Sequence, residues 1–324
     1  MSRFTLRRAV AAAALCASVV LLAACGSSST ESALTPSRLI AFGDGFSDVG
    51  QSATNNKYTV NDATTNHWLQ QVAARFERPI AASSTSGGLG YARLGARIAG
   101  KPSVTDDAAT LTVTEQIDAF IAGGGTFGAN DLIFISGGMT DAVFQAKAVL
   151  AGTQTAAVAE TNARAAGTAL AELAKRVVDA GAKQVVVVGS VNLGITPWGQ
   201  ASGQYDAMEA ISRGVNDAFL IGAVDRNLGS NVLYVDAAYY FNLLANDPGN
   251  FNMDNSRVVA CTSVNPGVGI GIGVGQVDSS LCTPSTIVAG VNYTRYMFAD
   301  ALYTAPTAQR QFGDYAYDRI RNRW

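Results

Sequence analysis

Short apolar runs alternate with longer amphipathic stretches along most of the chain. Runs typical of buried strands, each aliphatic or β-branched and bounded by Gly, Asn or Asp, occur at residues 38–42, 131–136, 184–188 and 231–235. Helical periodicity predicts helices at residues 68–76, 113–121, 155–180, 204–226 and 307–321. Strands that alternate with long helices are typical of parallel sheets covered on both faces. The pattern therefore predicts an α/β domain of three layers, α/β/α, with a mostly parallel sheet.

Ligands bind such sheets beyond the carboxyl ends of the strands. Candidate chemistry is therefore expected directly after Phe42, Ser136 and Val188. By the same rule, the Gly-Ala-Asn-Asp sequence at residues 128–131 is expected at the opposite edge, because it comes before a strand.

The first residues have the pattern of an export signal. Three arginines precede an apolar run at residues 9–24, which suits a signal peptide core better than a membrane span. The run ends in Leu-Ala-Ala-Cys at residues 22–25, which resembles the lipobox of bacterial lipoproteins and implies a lipid anchor on Cys25. An ordinary secretory signal is the alternative. We predict a signal peptide at 1–24, a lipidated cysteine with a flexible tether at 25–37, and one domain at 38–324.

Composition narrows the possible functions. Removal of residues 1–24 takes away three arginines and no acidic residue, which leaves 20 basic and 25 acidic residues and a formal charge of −5. This balance gives no basic footprint for nucleic acid. One histidine, His67, cannot build a His-rich metal site, and no cofactor motif is present. The resemblance to Gram-negative lipoproteins, with Gly26 after the cysteine, implies the cell envelope, at the periplasmic or surface side of the outer membrane.

Cysteine parity predicts one disulfide. Cys16 lies in the signal and Cys25 in the lipobox, so Cys261 and Cys282 remain as an even pair for an oxidising compartment. A bridge between them would close a glycine-rich segment and stabilise the fold by roughly 3 kcal/mol. Two buried free thiols are the alternative.

The segment after the first strand carries the most specific motif. Residues 42–50 read Phe-Gly-Asp-Gly-Phe-Ser-Asp-Val-Gly, a turn that we predict to lead into a helix capped by Ser47 or Asp48. The segment resembles the Gly-Asp-Ser-Leu-Ser-Asp-x-Gly block of the GDSL, or SGNH, esterases and lipases. That resemblance implies the flavodoxin-like α/β/α fold of the family and hydrolysis of acyl esters.

Further blocks extend the resemblance over nearly the whole mature chain. Residues 90–97, Gly-Tyr-Ala-Arg-Leu-Gly-Ala-Arg, resemble the second block, in which the resemblance assigns Gly95 to the oxyanion hole. Residues 138–141, Gly-Met-Thr-Asp, stand where the third block has Gly-x-Asn-Asp, and residues 300–307 stand where the last block has Asp-x-x-His-Pro-Thr. Residues 193–197 and 296–300 match a family loop and the approach to the last block.

The catalytic positions implied by this resemblance are mostly replaced. The nucleophile position is Gly45 and the base position is Tyr303, whose phenol has an unperturbed pKa of about 10 and is a poor base at neutral pH. Thr140 replaces the oxyanion asparagine, and of the triad only Asp300 remains. Ser47 is the candidate for a relocated nucleophile, although it is expected to turn away with the helix. His67 is expected to be exposed or locally hydrogen-bonded.

Two functions follow from these residues. The first is an envelope lipoprotein that retains the hydrolase scaffold, lacks its chemistry and binds a lipid, glycan, acyl ester or protein partner. The second is an active carboxylic-ester hydrolase with a relocated nucleophile such as Ser47. Loss of triad residues in serine hydrolases lowers catalysis by about 10⁴ to 10⁶. The chemistry therefore favours the first function.

Overall fold

A computed structural model describes residues 34–64 and 67–324. The expected signal peptide, the lipobox with Cys25 and the first part of the tether lie outside the described residues. Residues Leu34–Trp324 form one compact unit. None of the helices in the described ranges combines the length and the apolar character needed to cross a membrane.

Four strands form a parallel sheet in the order β1-β2-β3-β4. They are β1 (Arg38–Phe42), β2 (Asp131–Ser136), β3 (Gln184–Val188) and β4 (Val232–Val235). Nearly every residue of β1, β2 and β3 is buried, as expected for a sheet covered on both faces. A parallel bridge between Ala41 and Gly90 lies alongside β1. The predicted strands and their parallel pairing are confirmed.

Helices connect and cover the strands. In chain order they are α1 (Trp68–Arg75), α2 (Val113–Ala122), α3 (Met139–Leu150), α4 (Ala156–Asp179), α5 (Pro197–Ser202), α6 (Tyr205–Asp225), α7 (Ala237–Asn246) and α8 (Pro306–Arg323). Two short parallel strands, β5 (Asn255–Val259) and β6 (Tyr296–Phe298), pair apart from the main sheet. The five predicted helices are present within two residues of their expected ends, whereas α3, α5 and α7 were not predicted.

Successive residues along each strand point to opposite faces of the sheet, and each face packs in its own hydrophobic core. Leu39, Phe134 and Val186 face one core, which contains Trp68 of α1 and Phe312 of α8. The intervening strand residues, Ile40, Ile133 and Val187, pack in the other core against side chains of α2, α4 and α6. The three-layer α/β/α fold is therefore confirmed, with the carboxyl ends of the strands at one edge.

Candidate functional site

The chain leaves β1 in a tight turn at the carboxyl edge of the sheet. A Cβ atom on Gly43 would lie 2.0 Å from Ser136 Oγ at the end of β2, so only glycine fits there. Gln116 fixes this residue, because its amide accepts from Gly43 N at 2.8 Å and donates to Gly43 O at 2.9 Å. The chain then forms one 3₁₀ turn, Gly45–Ser47, capped by Asp44, whose Oδ1 accepts from Phe46 N. The prediction of a helix capped by Ser47 or Asp48 is wrong.

Tyr303 fills the space beside Gly45. A Cβ atom on Gly45 would lie 2.4 Å from the Tyr303 hydroxyl oxygen and 2.9 Å from Leu94 Cδ1. Tyr303 is only 4% exposed, and its ring packs on that of Tyr58 with centroids 5.0 Å apart. Burial raises the pKa of Tyr303 further above its ordinary value. The phenol is therefore neutral and fills the space beside Gly45, the position that the family resemblance assigns to the nucleophile.

Asp300 holds the turn that presents Tyr303. This turn follows β6 and leads into α8, and Asp300 Oδ1 accepts from Leu302 N at 2.8 Å and from Tyr303 N at 2.7 Å. Its other oxygen, Oδ2, accepts from Ser279 N at 3.0 Å. Both oxygens of the Asp300 carboxylate therefore bind backbone amides and support the local fold.

The two positions that the family resemblance assigns to the oxyanion hole are buried as well. Thr140 lies in the first turn of α3, and its backbone N donates to Asp44 Oδ2 at 3.3 Å. Burial raises the pKa of Asp44, and a hydrogen bond from the Thr140 side chain opposes that shift by favouring the charged form. Gly95 is buried, and its carbonyl accepts from Val104 N. The backbone N–H and the side chain of Thr140 thus both hydrogen-bond to the Asp44 carboxyl.

Two carboxyls in this region lie in a low-dielectric environment. Burial raises the pKa of Asp44 and that of Asp300 to about 6, although both accept backbone hydrogen bonds that favour the charged form. The folded protein therefore holds protons that the unfolded chain has released at intermediate pH. The contribution of these two groups to the free energy of unfolding falls as pH rises from about 4 through about 6.

Ser47 and His67 do not form a catalytic pair. Ser47 is 1% exposed and His67 is 0% exposed. Neither Ser47 Oγ nor either ring nitrogen of His67 has a hydrogen-bond partner within residues 34–64 and 67–324. The expectation of an exposed histidine is wrong, since packing around the start of α1 encloses the ring. Burial lowers the pKa of His67 to about 3, so the imidazole stays neutral.

We expect the His67 imidazole to show no titration between about pH 8 and pH 5, because burial disfavours its protonated form. The chain has a single histidine, so its ring resonances in NMR spectra need no assignment. His67 also makes the unfolding free energy fall as pH drops below about 6.5, because the unfolded chain then binds a proton that the folded chain rejects. A His67→Gln variant should lose this dependence. An NMR midpoint near the ordinary pKa of about 6.5 would contradict the burial.

A disulfide-bonded segment lies against this region. Cys261 and Cys282 are bonded, with Cα atoms 5.9 Å apart, which confirms the predicted disulfide. Within the segment, Ile270 is buried in the same core as Tyr303. A Cβ atom on Gly271 would lie 2.6 Å from Val104 Cγ1, and Ser279 donates to Asp300 as described above. The segment therefore closes over the turn that carries Tyr303.

The remaining candidate features are structural. Asp131 begins β2 at the amino edge of the sheet and forms an ion pair with Arg38 at 2.9 Å, as the position of the Gly-Ala-Asn-Asp sequence predicts. Among the residues that the structure describes, no group of three or more His, Cys, Asp and Glu side chains is placed to hold a metal ion.

Sequence reasoning did not identify the side chains that fill the space near Gly45. Leu94 lies in the block at residues 90–97, in which the family resemblance points to Gly95, and its backbone N donates to Asp48 Oδ2 at 3.3 Å. Tyr58 lies in a polar stretch with no motif, so no signal in the sequence indicated its contact with Tyr303. Asp44 lies inside the motif at residues 42–50. An aspartate directly before a turn is a common cap, and this was the only indication in the sequence of its role.

Comparisons with known proteins give a fold-level match. No protein-family model matches the chain, and no curated protein matches it. Among solved structures, it is similar to phospholipase A1 from Streptomyces albidoflavus NA297, with 14% identity and a TM-score of 0.41. The match covers 87% of this chain and 98% of the phospholipase chain. A match of this strength gives no information about activity.

Proposed function

We propose that this protein is a GDSL/SGNH-type domain that has lost ester hydrolysis and acts as a binding or scaffold protein of the cell envelope. The observation that carries the proposal is the position of the Tyr303 hydroxyl, 2.4 Å from where the Cβ of any side chain at Gly45 would stand. A serine nucleophile has no room at this position while Tyr303 is present. Glycine at position 45 therefore leaves the space that tyrosine at position 303 occupies.

The chemistry of the remaining groups agrees with this proposal. Gly45 has no nucleophilic atom, and the neutral phenol of Tyr303 cannot accept a proton from a serine or a water at neutral pH. The carboxylate that would orient a histidine binds three backbone amides instead. Loss of triad members alone lowers catalysis in serine hydrolases by about 10⁴ to 10⁶.

Access to the same region is also closed while the Tyr303 phenol fills it. Thr140 and Tyr303 are each less than 5% exposed, and Asp300 is 0% exposed. An ester carbonyl must come within about 3 to 3.5 Å of an attacking oxygen to react. Ser47, the candidate for a relocated nucleophile, is equally buried, and its Oγ has no hydrogen-bond partner among the described residues.

Hydrolysis of p-nitrophenyl acetate tests the proposal. We expect the purified protein to match the buffer blank and its own Ser47→Ala variant. A Gly45→Ser/Tyr303→His variant should hydrolyse the ester faster than a Gly45→Ser/Tyr303→Phe variant, which has the same nucleophile and no base. Circular dichroism confirms that each variant is folded. Wild-type hydrolysis above the blank that is removed by Ser47→Ala would overturn the proposal and establish an active esterase.

We further propose that Cys25 carries a lipid that anchors the domain to a membrane of the cell envelope. The support is the lipobox resemblance of residues 22–25 and the polar tether that follows. Mass spectrometry of the mature N-terminus should find an acylated Cys25, and a Cys25→Ala variant should leave the membrane fraction. An unmodified N-terminus at another residue would contradict the anchor.

A further inference from the structure

An open cavity of about 300 Å³ lies at the same edge of the sheet but at its other end. It adjoins the carboxyl ends of β3 and β4, between α6 and the first turns of α7. Open α/β sheets bind ligands beyond the carboxyl ends of their strands, and this volume is at the lower end of the usual range for small-molecule sites. None of Gly45, Thr140, Asp300 and Tyr303 lines it.

Neutral hydrogen-bonding groups form part of the cavity wall. Asn216 is held in place by Ser190, whose N donates to Asn216 Oδ1 at 2.8 Å and whose O accepts from Asn216 Nδ2 at 2.9 Å. Asn192 is 4% exposed and donates to Asn242 Oδ1 at 3.2 Å. These contacts fix the orientation of the amides before any ligand arrives, which lowers the entropic cost of binding.

One buried polar group in the wall has no partner. The Tyr234 hydroxyl is inaccessible to solvent and makes no hydrogen bond to any residue in the described ranges. Burial raises the pKa of Tyr234 above its ordinary value, so the hydroxyl keeps its proton. A buried hydroxyl without a partner costs about 1 to 3 kcal/mol.

The rest of the lining carries both charges and an aromatic ring. Glu209, Asp217 and Asp236 supply acceptors, while Arg213 supplies donors. Arg213 is exposed, and none of the ion pairs in the part of the chain that the structure describes includes it. Tyr239, in the first turn of α7, is 54% exposed although it lines the cavity.

We propose that this cavity binds a carbohydrate, of the size of a mono- or disaccharide. Each sugar hydroxyl both donates and accepts, which suits a wall of amides with acceptors and one guanidinium around it. The apolar C–H face of a sugar ring can pack on an exposed tyrosine, which presents a rigid apolar face and a polar tip. Three carboxylates disfavour a phosphate or another anion, and the polar lining disfavours an acyl chain. This binding does not depend on whether the region near Gly45 hydrolyses esters.

Saturation-transfer NMR with glucose, N-acetylglucosamine, maltose and cellobiose as separate probes tests the proposal, with spermidine as a cationic probe. We expect saturable binding of at least one sugar by the purified protein. Tyr239→Ala should weaken it by about tenfold, the effect of losing one aromatic contact. Arg213→Gln should weaken it as well. Leu243→Ala is the matched control, because this partly exposed residue of α7 does not line the cavity.

The binding results for the wild type and the three variants distinguish support for the carbohydrate site from its rejection. Sugar binding that is weakened by Tyr239→Ala and by Arg213→Gln, and is unchanged in Leu243→Ala, supports the proposal. The proposal is overturned if no sugar in the set shows saturable binding, if Tyr239→Ala leaves the affinity unchanged, or if spermidine binds and the sugars do not. Since the assay measures binding without turnover, its outcome is independent of the ester hydrolysis test.

Discussion

Gly45→Ala should destabilise the protein by about 2 to 3 kcal/mol, because the new methyl group would overlap the Tyr303 hydroxyl and Leu94. Gly45 has a backbone conformation that other residues adopt, so the cost comes from the collision, at 2.4 Å from the Tyr303 oxygen and 2.9 Å from Leu94 Cδ1. Urea unfolding of the two proteins measures the difference.

A double-mutant cycle tests whether the Tyr303 hydroxyl causes the destabilisation by Gly45→Ala. In a Tyr303→Phe background the hydroxyl is absent, so Gly45→Ala should cost less than in the wild type, with a coupling free energy of about 1 kcal/mol or more. Gly229→Ala is the control, because Gly229 also lies in a 3₁₀ turn and has no atom within 4 Å of an added Cβ. It should change stability by less than about 0.5 kcal/mol. Equal effects at Gly45 and Gly229 would show that Tyr303 does not occupy this space.

Removal of the Cys261–Cys282 disulfide should lower the free energy of unfolding by about 3 kcal/mol. The bridge joins residues 21 positions apart, and closing a loop of that length removes chain entropy worth roughly that amount from the unfolded state. A Cys261→Ala/Cys282→Ala variant, compared with the oxidised wild type by urea unfolding, measures the effect. Because both cysteines are buried, the lost sulfur atoms add a smaller packing cost.

Reduction of the wild type provides the control for that packing cost, since it breaks the bridge and keeps both sulfur atoms. Amide hydrogen exchange should then increase first between residues 261 and 282, where Ser279 donates to Asp300. An oxidised and a reduced protein with equal unfolding free energies would contradict the expected role of the bridge. Faster exchange spread evenly over the whole chain would contradict the local role of the segment.

The main sheet was predictable because its strands are buried on both faces and therefore read as uninterrupted aliphatic runs. The sequence of β3, Gln-Val-Val-Val-Val, consists almost entirely of β-branched residues and is therefore typical of a buried strand. The helix α3 was missed because the residue before it, Gly138, has no side chain to cap the helix and so removes the usual start signal, and because the helix is buried on most sides. The helix α7 contains an aromatic run directly after β4, and that run obscured its periodicity.

The sequence predicted which positions form the candidate site, but it did not predict the contacts between their side chains. The motif around Gly45 and the aspartate at 300 identified the right edge of the sheet. The collision between a side chain at Gly45 and Tyr303 depends on how the turn after β6 is oriented against the turn after β1, more than 250 residues away along the chain. No local pattern around His67 indicated that packing would bury its ring.

The fit between Gly45 and Tyr303 also constrains how ester hydrolysis could arise in this chain by single substitutions. Gly45→Ser alone meets the tyrosine hydroxyl, and Tyr303→His alone provides a base with no nucleophile to activate. The first substitution also lowers stability, so selection for hydrolysis favours neither single step. The two positions, which are far apart in the gene, are therefore expected to show sign epistasis.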